Sequence, residues 1–127
     1  MKIEKWDDNY IWFTDGTTIS YEHEADCCEF NWADFSVLEI FYQDEEFDDF
    51  EIIPVDGCGF LLSLKLPKHD KWLWSDYIPT KKILIPCYSD QNGYYSSDLT
   101  IIIRGPERKS ENINLDCEWR DSEFSAW

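Results

Sequence analysis

Basic residues are missing from the first half of this chain. Between Trp6 and Leu64 there is no Lys or Arg, while sixteen Asp and Glu fall in the same stretch. Residues 1–56 hold seventeen acidic and two basic side chains, a net of −15, so nearly all of the overall −16 lies there. A field of that sign repels nucleic acid and anionic lipid and favours cations or basic protein surfaces. Long apolar runs are missing too. Stretches such as Ile83-Leu84-Ile85-Pro86-Cys87-Tyr88 fall far short of the roughly 20 residues a membrane-crossing helix needs. Met1-Lys2-Ile3-Glu4-Lys5 lacks the apolar run of an export signal, so a soluble, unexported chain is expected. No Cys-x-x-Cys pair occurs, and the five cysteines (Cys27, Cys28, Cys58, Cys87, Cys117) are odd in number, with two adjacent. That argues against a disulfide framework and for reduced thiols. Phosphate-binding Gly loops and hydrolase signatures are absent, and no enzyme is expected.

Aromatic residues are plentiful, with seven Trp, seven Tyr and eight Phe in 127 residues, enough to build one core without staples. Asn9–Thr14 and Thr17–His23 flank Asp15-Gly16, which suits a two-residue type I′ hairpin turn. That register pairs Trp12 with Ile19 and Tyr10 with Tyr21 and sends all four to the core. Cys28, Phe30 and Trp32 alternate with Glu29, Asn31 and Ala33 as a third strand. Residues 34–50 fit a short helix through Val37, Leu38, Phe41 and Tyr42, with a strand as the alternative. Pro54 and Asp56-Gly57-Cys58-Gly59 close that segment. Gly59–Leu66 reads as a strand, Lys65–Lys82 as a long connection, and Ile83–Tyr88 with Leu99–Ile103 as a second hairpin joined through Asn92-Gly93. Pro86 lacks a donor and predicts an edge strand or a bulge. Ile113, Leu115, Cys117 and Trp119 share one face of a last strand. The expected fold is mainly β, with α+β as the alternative. It is a single domain over residues 1–127, with six to eight strands in a curved antiparallel sheet or partly open barrel and at most one or two short helices.

Two motifs carry a resemblance. His23, Asp26, Cys27, Cys28 and Glu29 form His-x-x-Asp-Cys-Cys-Glu, and Asn92-Gly93-Tyr94-Tyr95-Ser96 precedes a strand. With these the chain resembles an uncharacterised domain family of phages and bacteria. The resemblance implies a phage or mobile-element setting in a bacterial cytoplasm and no catalytic residues.

His23, Asp26, Cys27 and Cys28 are the residues that would hold zinc if any did. Tetrahedral zinc wants about four convergent donors, and neighbouring strand residues point to opposite faces. No cofactor is therefore expected. Lys65–Lys82 holds five Lys and two Asp among Trp72, Trp74 and Tyr77. This resembles a single-strand nucleic-acid pattern, but the lysines are expected to lie against the protein's own acidic half, or against that of a second copy in a homodimer. The densest feature is Tyr42–Glu51, six carboxylates and three rings with no base. One reading is a hydrated loop with Phe47 and Phe50 in the core. The sharper one is a DNA-mimicking face that docks on the basic groove of a nucleic-acid-handling host-defence protein and blocks it. Asp44, Glu45, Glu46, Asp48, Asp49 and Glu51 would supply charge, with Phe47 or Phe50 as anchor. A small metal-stabilised module or an assembly protein are the alternatives.

Overall fold

In the computed structural model, residues 1–22, 30–67, 79–91, 98–106 and 108–121 are described. Ten strands occur among them, more than the six to eight expected. They are β1 (Ile3–Trp6), β2 (Tyr10–Phe13), β3 (Thr18–Glu22), β4 (Phe30–Ala33), β5 (Asp49–Val55), β6 (Gly59–Lys65), β7 (Thr80–Gln91), β8 (Asp98–Gly105), β9 (Arg108–Asp116) and β10 (Glu118–Asp121). A 3-10 turn (Phe35–Val37) runs into a four-residue helix, α1 (Leu38–Phe41). One sheet has the order β1-β2-β3-β8-β9. In the other, β10-β7-β6-β5 follow one another and β4 adds to β7. All pairs are antiparallel except β10 with β7. The whole curls into a half-barrel, as the sequence predicts.

The first hairpin differs from expectation by one residue, and that decides which face is buried. Phe13 N–H donates to Thr17 O at 2.9 Å and Gly16 N–H to Phe13 O at 3.1 Å. The loop is therefore three residues, Thr14-Asp15-Gly16, with Gly16 in the left-handed region at φ +90°. Tyr10 now faces Ser20, Ile11 faces Ile19, and Trp12 faces Thr18. Because side chains alternate with period two, the slip turns the other face of β2 inward, while Ile19 stays in the core as expected. Ile11, Phe13 and Ile19 fill the core, while Tyr10 is exposed and Trp12 half-exposed. In β4 it is likewise Asn31 and Ala33 that are buried, and Trp32 is half-buried.

Strand β7 is the spine of the second sheet. It is not the edge strand that Pro86 suggested. Cys87 N–H donates to Cys58 O at 2.9 Å on the β6 side, and Pro86 O accepts from Asp34 N–H at 2.8 Å on the β4 side. Neighbouring residues direct their backbone groups oppositely, so β4 and β6 flank opposite edges of β7. The donor-less Pro86 nitrogen faces Asp34, where the β4 ladder ends and the chain turns into the 3-10 helix. The proline costs no ladder bond there. β7 and β8 do not form a hairpin either, since β8 pairs with β3 and β9 in the other sheet.

Among the described residues, several contacts join the sheets. The chain leaves β9 at Asp116, passes buried Cys117 and enters β10 in the opposite sheet, so the strand expected over 113–120 is split by a sheet change. Asn31 Nδ2 donates to Asp98 O at 2.9 Å, tying β4 to β8. Lastly, the Met1 ammonium donates to Phe47 O at 2.7 Å and Phe47 N–H to Met1 O at 2.9 Å. β5 and β9 flank a cleft of about 570 Å³, the open side of the half-barrel. Among the described residues no helix is long and apolar enough to cross a membrane.

Candidate interaction surface

The acidic stretch is built into the junction between the sheets. Phe47 is 0% and Phe50 4% exposed. Phe13 stacks on Phe50 with centroids 4.6 Å apart and meets Phe47 edge-on at 5.9 Å. Neither ring is free to anchor a partner, which corrects the sharper expectation and fits the alternative that both lie in the core. Tyr42 is also buried. Its hydroxyl accepts from Ile3 N–H at 3.1 Å and donates to Glu45 O at 2.7 Å, linking β1 to the loop. Burial and the Asp44 and Glu45 carboxylates hold this phenol above its usual pKa, against the Ile3 hydrogen bond.

Several of the carboxylates meet the chain's own cations. Asp44 pairs with Lys2 at 3.4 Å, Glu45 pairs with Lys81, and Asp49 stands directly across from Lys65 in the β5–β6 register. The ends of Lys65–Lys82 thus lie against the acidic half as expected, and Lys68–Tyr77 fall outside the described residues. Asp49 and Glu51, with Pro54, sit on β5, an outermost strand of its sheet. Charge and proline there discourage edge-to-edge association. Glu46, Asp48 and Glu51 are exposed. Among the other described acids of the first half, Asp7 and Asp8 lie between β1 and β2, Asp15 between β2 and β3 and Asp56 between β5 and β6, while Glu4, Glu22 and Glu39 lie on β1, β3 and α1.

The Glu45–Lys81 pair has a pH signature. Burial pushes the Glu45 pKa up. Hydrogen bonds from Lys81 and from the Gln43 and Glu45 backbone N–H groups, together with the Lys81 charge, outweigh this and leave it below its usual value. A depressed folded-state pKa adds stability above the unfolded value, near ~4.3, that is lost as pH falls through the folded value. Glu45→Gln should therefore lower the urea midpoint at pH 7, and the gap to the parent protein should narrow as the pH falls below the ordinary carboxylate range. A gap that stays the same as the pH falls would show that the carboxylate charge contributes nothing.

The outward face of the second sheet has a polar and an apolar end. Register aligns Glu51, Ser63 and Lys82 in one row and Ile53, Leu61 and Leu84 in the next. Toward the apolar end, Val37 and Phe41 from the helical segment face Leu84, Pro86 and Tyr88 of β7 across a groove of about 450 Å³, with Lys82 and Glu118 as its charged members. Ile40 is 69%, Phe41 52% and Leu84 45% exposed. The helix explains the first two. A four-residue helix can turn only one narrow stripe inward, here Leu38 with flanking Phe35 and Tyr42, and Ile40 and Phe41 are left on the far side. Adjacent exposed apolar side chains of this size mark interaction sites more than isolated ones do.

Other sequence candidates contribute less. His23, Asp26, Cys27 and Cys28 lie outside the described residues, as does Asn92–Ser96. Among the described residues no three His, Cys, Asp or Glu side chains converge as metal ligands. Cys87 and Cys117 are buried. The hydrogen bond with Cys117 and burial push the Cys87 pKa far above the ordinary thiol range, which favours the protonated thiol.

A family described as a domain of unknown function, DUF7448, matches residues 1–101. The chain belongs to the DUF7448 family. No curated protein and no solved structure matches it. The DUF7448 match ends within β8, so it includes the acidic stretch, α1 and all of β7. The groove walls therefore belong to the shared domain, and only Glu118 among its lining residues lies beyond it.

Proposed function

We propose that this DUF7448 protein is a non-catalytic binding domain that docks on a Lys/Arg-rich surface of a nucleic-acid-handling protein. The carrying observation is the exposed apolar groove between α1 and β7 on a body of net charge −16. Exposed Glu39, Glu51, Asp56 and Glu118 lie on the segments that frame this face, against the one lining base, Lys82. A complementary partner presents an apolar side chain ringed by cations. The distributed carboxylates steer encounter, and Phe41 and Leu84 slow dissociation. In the phage setting suggested by the motifs around Cys27 and Asn92, the partner is a host-defence protein, and docking blocks its nucleic-acid groove as a DNA mimic does.

The test uses partner captured from bacterial lysate, then purified. Association should slow steeply with salt, and duplex DNA should compete. Phe41→Ser combined with Leu84→Ser should raise the dissociation rate about tenfold or more while shifting stability by under ~0.5 kcal/mol. Salt-insensitive affinity, or unchanged dissociation from the double variant, contradicts the reading.

A further inference from the structure

We propose that a recess beside the groove receives an arginine side chain of the partner, an inference that rests on the docking reading above. The recess holds about 400 Å³ and is lined by Asp8, Asn9, Tyr21, Trp32, Asp34 and Phe35, with Ala33 and Ser36 completing it. That is the small end of the range for ligand pockets and suits one long side chain better than a cofactor. Its walls come from the β1–β2 turn, the end of β3, β4 and the start of the helical segment.

Three features fit a guanidinium. The walls are aromatic: Tyr21 packs against Phe35 with centroids 5.7 Å apart, and Trp32 leans on Tyr88 at 5.4 Å. Planar cations stack on such faces. The recess carries two carboxylates, and among the described residues no Lys or Arg lines it. Asp34 Oδ1 accepts from Ser36 N–H at 3.1 Å and Ser36 Oγ–H at 2.5 Å. Its other oxygen and both Asp8 carboxylate oxygens carry no hydrogen bond among the described residues. Tyr21 O–H donates to Asp8 O at 2.9 Å and to Asn9 Oδ1 at 3.3 Å, which holds the ring in place from the rim. A bare divalent ion wants more convergent oxygens than two carboxylates on separate segments supply. Trp32 of the recess packs against Tyr88 of the groove, so the two lie on neighbouring walls and one partner can place an apolar side chain in the groove and an arginine in the recess.

The probe is N-acetyl-arginine amide, with the uncharged citrulline analogue as control, read by NMR at the Trp32 indole and Tyr21 ring. The arginine compound should give saturable shifts at both positions and the citrulline compound none. Asp8→Asn with Asp34→Asn should weaken binding about tenfold. Asn keeps the capping role of residue 34, and the Asp8 contact to Tyr21 is through the backbone, so the fold is retained. Equal response to citrulline, shifts only elsewhere, or unchanged binding by the double variant overturns the proposal. Phe41→Ser with Leu84→Ser leaves this response intact, because neither residue lines the recess. An absent arginine response beside normal partner docking overturns the recess alone. A normal response without salt-sensitive docking overturns only the reading it rests on.

Discussion

Gly59→Ala is expected to destabilise the domain by about 3 kcal/mol or more, enough to unfold a marginally stable protein of this size. Gly59 opens β6 at φ +147°, a conformation that L side chains rarely adopt. A Cβ there would lie 2.2 Å from Ile85 O, 2.7 Å from Cys87 N and 3.0 Å from Pro86 Cα. All three atoms are backbone, so no flexible side-chain end can yield. This is also where β7 passes from β6 to its later partners, and a displaced β7 would disturb β4, β6 and β10 together. Gly57, two residues earlier in the turn, is the internal control. It too has positive φ, at +76°, but a Cβ there would meet nothing within 4 Å. Gly57→Ala should cost only the conformational strain, about 1 kcal/mol. Urea unfolding of both variants separates clash from strain. A Gly59→Ala midpoint matching that of Gly57→Ala would show that the close approach is relieved without cost.

The second large effect is expected from Phe47→Ala, about 3–5 kcal/mol. Phe47 lies between six carboxylates, where composition suggests a solvated loop, yet its ring has no exposure and its backbone exchanges two hydrogen bonds with Met1. Removing the ring should empty the space beside Phe13 and release the N-terminal strand from the second sheet. Glu46→Gln, one residue away and exposed, should change stability by less than ~0.5 kcal/mol. A stable Phe47→Ala protein would return the acidic stretch to the status of a loose surface loop.

How far the fold was legible follows from the range of each interaction. The β6 strand, the turn after Val55 and the short helix rest on local patterns, and all three occur. The first hairpin differs from its expected register by one residue. Asp15-Gly16 serves both a two-residue turn and a three-residue turn with Gly16 left-handed. The two-residue turn brings Tyr10 and Trp12 inward beside Ile19, whereas Ile11 and Phe13, with no polar atom to satisfy, are the β2 side chains that bury. Pairings across the molecule were not legible. β7 and β8 look like a hairpin because an Asn-Gly lies between them, but their partners are strands far away in sequence. Likewise, the abundance of acids at 44–51 is plain in the sequence, while the pairing of Asp44 with Lys2 and Glu45 with Lys81 spans 42 and 36 residues. Phe41 and Leu84 escaped notice as surface residues because an apolar side chain in a short element reads as core. No local signal marks them. Only the stripe count of a four-residue helix could have suggested that Phe41 must face out.

The central claim is a division of labour: the acidic stretch holds the sheets together, and the outer α1–β7 face meets the partner. Backbone hydrogen exchange of the domain, free and in complex with its purified partner, tests this most directly. Protection should increase around Val37–Phe41 and at Leu84–Tyr88, with little change at Gln43–Glu51. New protection confined to Gln43–Glu51 would contradict it.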